Sequence, residues 1–255
     1  MFGLPDGVLA CLFDMDGVVT QTATLHAAAW KEMFDEFLRE RAQATGTEFV
    51  PFDPHREYDA YVDGKPRLDG TRSFLASRGI SLPEGTPDDP PGTPTLYGLS
   101  NRKNALVLAK IAAGGVQVYP GSVTYIKAVR AGRMSTAVVS ASANTQQVLA
   151  AAGIAGLFDV RIDGVVAKQR GLRGKPAPDT FLAAAEALGV PAARAVVFED
   201  AQAGVAAGHA GHFALVVGVD RVGQAAELYQ HGAGIVVKDL SDLLDRDGSS
   251  GQDAR

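Results

Sequence analysis

Five short apolar runs rich in β-branched residues punctuate the chain: Val8 to Phe13, Thr136 to Val139, Ala195 to Phe198, Ala214 to Val219 and Ile235 to Val237. Their hydrophobicity is continuous rather than alternating, the pattern of strands covered on both faces, and such strands belong to parallel sheets. Between the later runs lie helical patterns with legible ends. Asn144 with Gln147 three residues on has the form of a capping box, opening a helix through Val148, Leu149 and Ala152 that stops at Gly153. Pro178 suits a first helical turn, Phe181, Leu182, Ala185 and Leu188 form an apolar stripe, and Gly189 ends the segment. Strand alternating with helix predicts right-handed βαβ units and a doubly wound α/β fold with a parallel sheet.

Residues 24–115 follow a different rule, with no convincing strand run. Trp30, Met33, Phe34 and Phe37 keep the i, i+3, i+4, i+7 spacing of an amphipathic helix, and Arg67 to Ser77 and Asn101 to Ala112 also read as helices. Pro83 to Pro94, rich in Pro, Gly and Asp, reads as a surface loop. The chain is therefore expected to carry a helical insertion after its first strand. Asp247 to Arg255 reads as a frayed tail.

A formal net charge of -5 over 255 residues gives no overall attraction for a nucleic-acid backbone or an anionic membrane. A few converging cations could still bind one or two phosphate groups. The single cysteine, Cys11, sits in an apolar run and cannot form an internal disulfide, which fits a buried thiol in a reducing, cytoplasmic setting. The opening segment reaches Asp14 and Asp16 too soon for a secretory or membrane-spanning stretch.

All strands of a parallel sheet end on one edge, and open α/β sheets bind ligands there. Asp14, Ser140 and Asp200 each fall just after an apolar run. In Asp14-Met15-Asp16-Gly17 two carboxylates at i and i+2 point the same way, and Gly17 permits a sharp turn. One could attack phosphorus while the other handles the proton of the reacting hydroxyl. The same letters fit a plain turn or a calcium-loop fragment, but the twelfth position of such a loop is Leu25, not an acid. Ser140 could offer its hydroxyl and neighbouring N–H groups to a phosphoryl oxygen, or simply cap a helix. Lys175 could neutralise a transferring phosphate or be a solvated surface lysine. Glu199-Asp200 suits coordination of a hard cation, with a helix N-cap as the alternative for Asp200. His209 and His212 read as an incidental pair.

With these four segments in this order, the chain resembles the haloacid dehalogenase superfamily. The insertion after the first strand matches the cap of its phosphatase and mutase branch. Thr22, His26 to Lys31, Arg102 to Asn104, Tyr119 to Gly121, Ser140 to Asn144 and Gly174 to Asp179 extend the likeness to the sugar-phosphate mutases of that branch. The resemblance implies a Rossmann-like core of residues 1–23 and 116–255 and a helical cap of residues 24–115. It implies that Asp14 becomes an aspartyl phosphate, that Asp16 moves the proton of the sugar oxygen, and that Ser140, Ala141 and Lys175 hold the phosphoryl group. Mg2+ would be held by Asp14, the Asp16 carbonyl, Asp200 and Glu199. Gly64 and Arg67 resemble a loop gripping the distal phosphate, Thr22, His26 and Lys103 sugar-side contacts, and Ser142 and Asn144 contacts to a second phosphate.

Three positions depart from that pattern: Gln21 in place of an acid, and Ala143 and Asp63 in place of lysines, with Lys65 the cation nearest to compensate. The expected reaction is interconversion of β-glucose 1-phosphate and glucose 6-phosphate by a monomeric enzyme. A sugar-phosphate phosphatase using the same aspartyl phosphate is the alternative, and a catalytically silent binding module is a third reading that the intact Asp14, Asp16, Lys175 and Asp200 set argues against.

Overall fold

The computed structural model describes residues 2–245; the tail expected at Asp247 to Arg255 lies outside them. Along the chain, β1 (Ala10–Phe13) is followed by α1 (Ala23–Thr45), α2 (Arg67–Ser77) and α3 (Leu96–Gly114). Then come α4 (Pro120–Ala131), β2 (Ser135–Val139), α5 (Thr145–Ala151), β3 (Val160–Ile162), α6 (Gly164–Arg170) and α7 (Asp179–Ala187). The chain continues with β4 (Ala195–Glu199), α8 (Gln202–Ala210), β5 (Leu215–Val219), α9 (Ala225–Gln230), β6 (Ile235–Val237) and α10 (Asp242–Asp245). It divides into two compact units, one gathering residues up to Gln21 and from Val116 onward, the other comprising Thr22–Gly115.

In the first unit six parallel strands form one sheet in the order β3-β2-β1-β4-β5-β6. The apolar runs become strands because each residue is sequestered on one face or the other. Ala10 and Leu12 join a core with Phe181, Ala184, Val205 and Val216, while Phe13 on the opposite face stacks on Phe198 at 4.5 Å and meets the edge of Tyr125 from α4. The chain leaves β1 to build β2 and β3 on one side and β4 to β6 on the other. The ends of β1 and β4 thus flank the point where winding reverses, the place where open α/β sheets leave a crevice. Cys11 is fully buried, and burial pushes its thiol far above the ordinary range.

Expectation and structure part at several places. A sixth strand, β3, pairs with β2 although its three residues include Arg161. Asn144 sits at the N-cap of α5 without a side-chain capping bond; the turn is instead closed by Thr145 Oγ1 donating to the Ser142 carbonyl and Asn144 N–H donating to Ser142 Oγ. On α7 Leu182 is 39% exposed, and the buried stripe runs through Phe181, Ala184 and Ala185, because the sheet contacts a face shifted toward those alanines.

The regular elements of the second unit are all helical, joined by loops. Trp30, Met33 and Phe34 of α1 pack with Phe52 and with Phe74 and Leu75 of α2, and Phe34 and Phe74 ring centroids are 4.1 Å apart. The expected helix Arg67 to Ser77 is α2, whereas α3 begins five residues before Asn101, its N-cap Thr95 accepting the Gly98 N–H at 2.9 Å. One turn of π-helix, Tyr58–Val62, precedes Gly64. No described helix is long and apolar enough to cross a membrane.

Candidate active site

The residue after β1 keeps the ladder going: the Asp14 N–H donates to the Phe198 carbonyl of β4 at 2.9 Å. The chain then turns sharply, with Gly17 N–H donating to the Thr20 carbonyl and both Val19 and Thr20 N–H groups to the Met15 carbonyl. Gly17 has φ +89°, a left-handed conformation that suits glycine, and a Cβ there would overlap the Asp200 carboxylate. The missing side chain is the space into which Asp200 reaches from the end of β4.

Asp14, Glu199 and Asp200 are all buried, and each offers a carboxylate oxygen within 4.8 Å of the others; this is the one such metal-capable cluster among the described residues, and His209 and His212 belong to none. Lys175 Nζ, 3% exposed, donates to Asp14 Oδ1 at 2.5 Å, Glu199 Oε1 at 2.6 Å and the Val139 carbonyl at 3.3 Å. Glu199 Oε2 accepts the Ala201 N–H at 2.8 Å, so both Glu199 oxygens are already engaged. Gly204 of α8 closes that pocket, since a Cβ there would overlap the Glu199 carboxylate. Ser140, 2% exposed at the end of β2, donates its hydroxyl to Asp16 Oδ2 at 3.4 Å and accepts the Ser142 N–H at 3.1 Å.

Electrostatics sharpen the picture. Burial pushes the Asp14 carboxyl well above the usual carboxylate range, Lys175 pulls the other way, and Glu199 and Asp16 add to the upward push. Burial alone would weaken the Lys175 ammonium, but the carboxylates of Asp14 and Glu199 outweigh it and hold the charge in place. Four carboxyl groups around one ammonium leave this end of the sheet short of positive charge. A divalent cation with hard oxygen ligands fits that deficit, and the ligands are of the type such a cation takes.

That fit makes the turn testable. Gly17→Ala is expected to weaken divalent-cation binding by about tenfold or more, the scale seen when the surroundings of a metal ligand are disturbed. Titration with Mn2+ followed by water-proton relaxation reads it, and unchanged affinity would show that the Gly17 turn does not govern Asp200.

The chain thus gathers Asp14, Asp16, Ser140, Lys175, Glu199 and Asp200 at one sheet edge. Ala141, Ser142 and Asn144 follow Ser140 in a turn anchored by the Gly164 N–H, which donates to the Ser142 carbonyl at 3.0 Å. The other sequence candidates belong to the inserted unit. Thr22 is fully buried, and its carbonyl accepts the His26 N–H. Lys103, 4% exposed on α3, lies 2.9 Å from His26 Nδ1 and 4.8 Å from the Trp30 ring centroid. An ammonium has no acceptor, so Nδ1 accepts and a neutral His26 ring carries its proton on Nε2. Gly64 has φ +69°. Arg67 opens α2 half-buried, and burial holds its guanidinium below the ordinary arginine range. Lys65, the cation proposed to compensate for a missing lysine, donates to the Ala60 carbonyl and Ser73 Oγ at 3.2 Å each.

Comparison with known proteins places this arrangement. The chain is 56% identical, over 96% of its length and 94% of theirs, to the β-phosphoglucomutases of Mycobacterium bovis and Mycobacterium tuberculosis. The crystal structure of β-phosphoglucomutase from Clostridium difficile superposes with a TM-score of 0.72 at 25% identity, covering 92% of this chain and 93% of that one. A family model of haloacid dehalogenase-like hydrolases matches residues 8–212, and with the buried carboxylate cluster at the ends of β1 and β4 this establishes that the chain belongs to the haloacid dehalogenase-like hydrolase family.

Proposed function

We propose that the chain interconverts β-glucose 1-phosphate and glucose 6-phosphate, with Asp14 carrying the phosphoryl group between the two sugar oxygens. The observation that carries this reading is the pairing of Asp14 with Lys175 at 2.5 Å beside Asp200, in a chain 56% identical to proteins named for that mutase activity. Asp14 supplies the attacking carboxylate oxygen. As the bond to phosphorus forms and the bond to the sugar oxygen breaks, Asp16 gives that oxygen a proton; in the reverse direction it takes the proton from the attacking hydroxyl. Lys175, fixed between Asp14 and Glu199, places positive charge where the phosphoryl oxygens gather it. Ser140 and the Ala141 N–H supply donors for those oxygens, while the Ser142 and Asn144 N–H groups hold the turn itself together.

Mg2+ is the cation we assign, held by Asp14, Asp200 and the Asp16 carbonyl, where it would offset the negative charge of the phosphoryl group. Glu199 is better occupied as the anchor of Lys175. The two compact units are assigned the roles of catalytic core and substrate-binding cap. In the cap, Arg67 and Gly64 are assigned to the distal phosphate, and Thr22, His26 and Lys103 to the sugar. Ser142 and Asn144 of the core would contact the second phosphate.

The test is incubation with β-glucose 1-phosphate, Mg2+ and a trace of glucose 1,6-bisphosphate, following glucose 6-phosphate and free phosphate together. Glucose 6-phosphate is expected to account for nearly all product; predominant release of phosphate would replace the mutase by a phosphatase. In the same assay Asp16→Ala should slow turnover by about 10²- to 10⁴-fold, the range for loss of a positioned acid/base. Unaltered turnover would remove Asp16 from the proton transfer.

A further inference from the structure

Asp220 and Arg221 follow the last residue of β5, and so arrive at the same sheet edge as the four motifs. Asp220 folds the next residues into a tight turn, its Oδ1 accepting the N–H groups of Val222, Gly223 and Gln224 at 3.2, 2.6 and 2.8 Å. Two side chains of that turn reach the carboxylate-bearing loops. Arg221 Nε donates to the Gly17 carbonyl at 3.0 Å, and Nη2 lies 3.4 Å from the Val18 carbonyl and 3.3 Å from Ser122 Oγ. Gln224 Nε2 donates to the Asp200 carbonyl at 2.9 Å, and its Oε1 lies 3.3 Å from Gln202 Nε2.

The guanidinium is itself fixed from three further sides. Nη1 donates to the Lys238 carbonyl at 2.7 Å and to Asp239 Oδ2 at 3.0 Å, and the plane lies 3.6 Å from the centre of the Tyr119 ring. Asp239 is held in turn by Ser241 through both its N–H and its hydroxyl. A side chain tied at this many points, with only 14% of its surface exposed, is a rigid strut rather than a surface charge.

We propose that the Asp220–Gln224 turn is a positioning element for the reaction: Arg221 fixes the loop that carries Asp14 and Asp16, and Gln224 fixes Asp200 against it. The inference rests on the functional reading above for the identity of the reaction, but on geometry alone for the cation site. Neither residue touches the reacting atoms. Each clamps the backbone carbonyl of a turn whose side chains must converge, and misplacement by a fraction of an ångström at such a site is costly.

The experiment uses three full-length variants, Arg221→Lys, Arg221→Ala and Gln224→Ala, each with a melting curve, a Mn2+ titration by water-proton relaxation, and steady-state kinetics. Arg221→Lys keeps the charge but not the fork, so it covers the case in which Arg221→Ala fails to fold. Folded variants are expected to bind Mn2+ about 10- to 100-fold more weakly, and to lose kcat by a similar factor with KM held within about twofold, since substrate-binding groups stay in place. Unchanged Mn2+ affinity, or a loss confined to KM, would overturn the proposal. If the unaltered protein binds Mn2+ yet turns over no glucose phosphate, the functional reading fails separately, and the Mn2+ titration alone decides this one.

Discussion

Asp14→Asn is expected to end turnover, with kcat lower by about 10⁴-fold or more, as for loss of other covalent nucleophiles, while the protein stays folded. The amide matches the carboxylate in shape but cannot attack phosphorus. Folding survives because Lys175 keeps its 2.6 Å bond to Glu199, and because the lost charge was one that burial already opposed. Without divalent cation the variant should melt no lower than the parent protein, and with cation it should gain less. Turnover within about a hundredfold of the parent would mean that the phosphoryl group travels by another route.

Lys175→Met is expected to be the most damaging single change to stability. It removes the ammonium from between Asp14 and Glu199, which are 6% and 0% exposed, and leaves their charges without a counter-ion. Breaking a buried pair from one side costs about 3–5 kcal/mol, to be read from urea unfolding at neutral pH. The sign of its pH dependence follows from Asp14, whose carboxyl in the folded protein is already raised by burial and loses in the variant the charge that opposed the rise. The folded state then binds more protons than the unfolded one, so stability falls as pH rises above the ordinary carboxylate value and recovers on acidification. A loss independent of pH would mean that packing, not charge, set the cost.

Much of this architecture was legible in the chain because the signals were redundant. Continuous apolar runs marked five strands, and the polar residue just past three of them marked the edge where chemistry gathers. What escaped was whatever depends on partners distant in sequence. Val160–Ile162 is too short and too charged to announce a strand, and is one only because Ala137 to Val139 lie beside it. Asn144 has the letters of a capping box, yet Ser142 and Thr145 close the turn. Leu182 keeps helical spacing but faces outward, because spacing gives a stripe and not its orientation.

The candidate site shows the same division. Asp14, Asp16 and Asp200 were found from position after a strand together with residue type, and Lys175 from its place before a helix. By that same criterion Arg221 was equally visible, two residues past β5, but an isolated arginine names no chemistry until Gly17 and Val18 are seen to accept its hydrogen bonds. Lys65, which the sequence offers as a replacement cation, hydrogen-bonds to Ala60 and Ser73 of its own unit, partners that the sequence does not announce.

The central claim is that Asp14 holds the phosphoryl group covalently. Acid quenching within the first turnover after mixing with glucose 1,6-bisphosphate and Mg2+, followed by peptide mass spectrometry, should find one phosphoryl group on the peptide containing Asp14 and none in Asp14→Asn. A phosphoryl group on Ser140 or His26, or a phosphorylated Asp14→Asn protein, would contradict it.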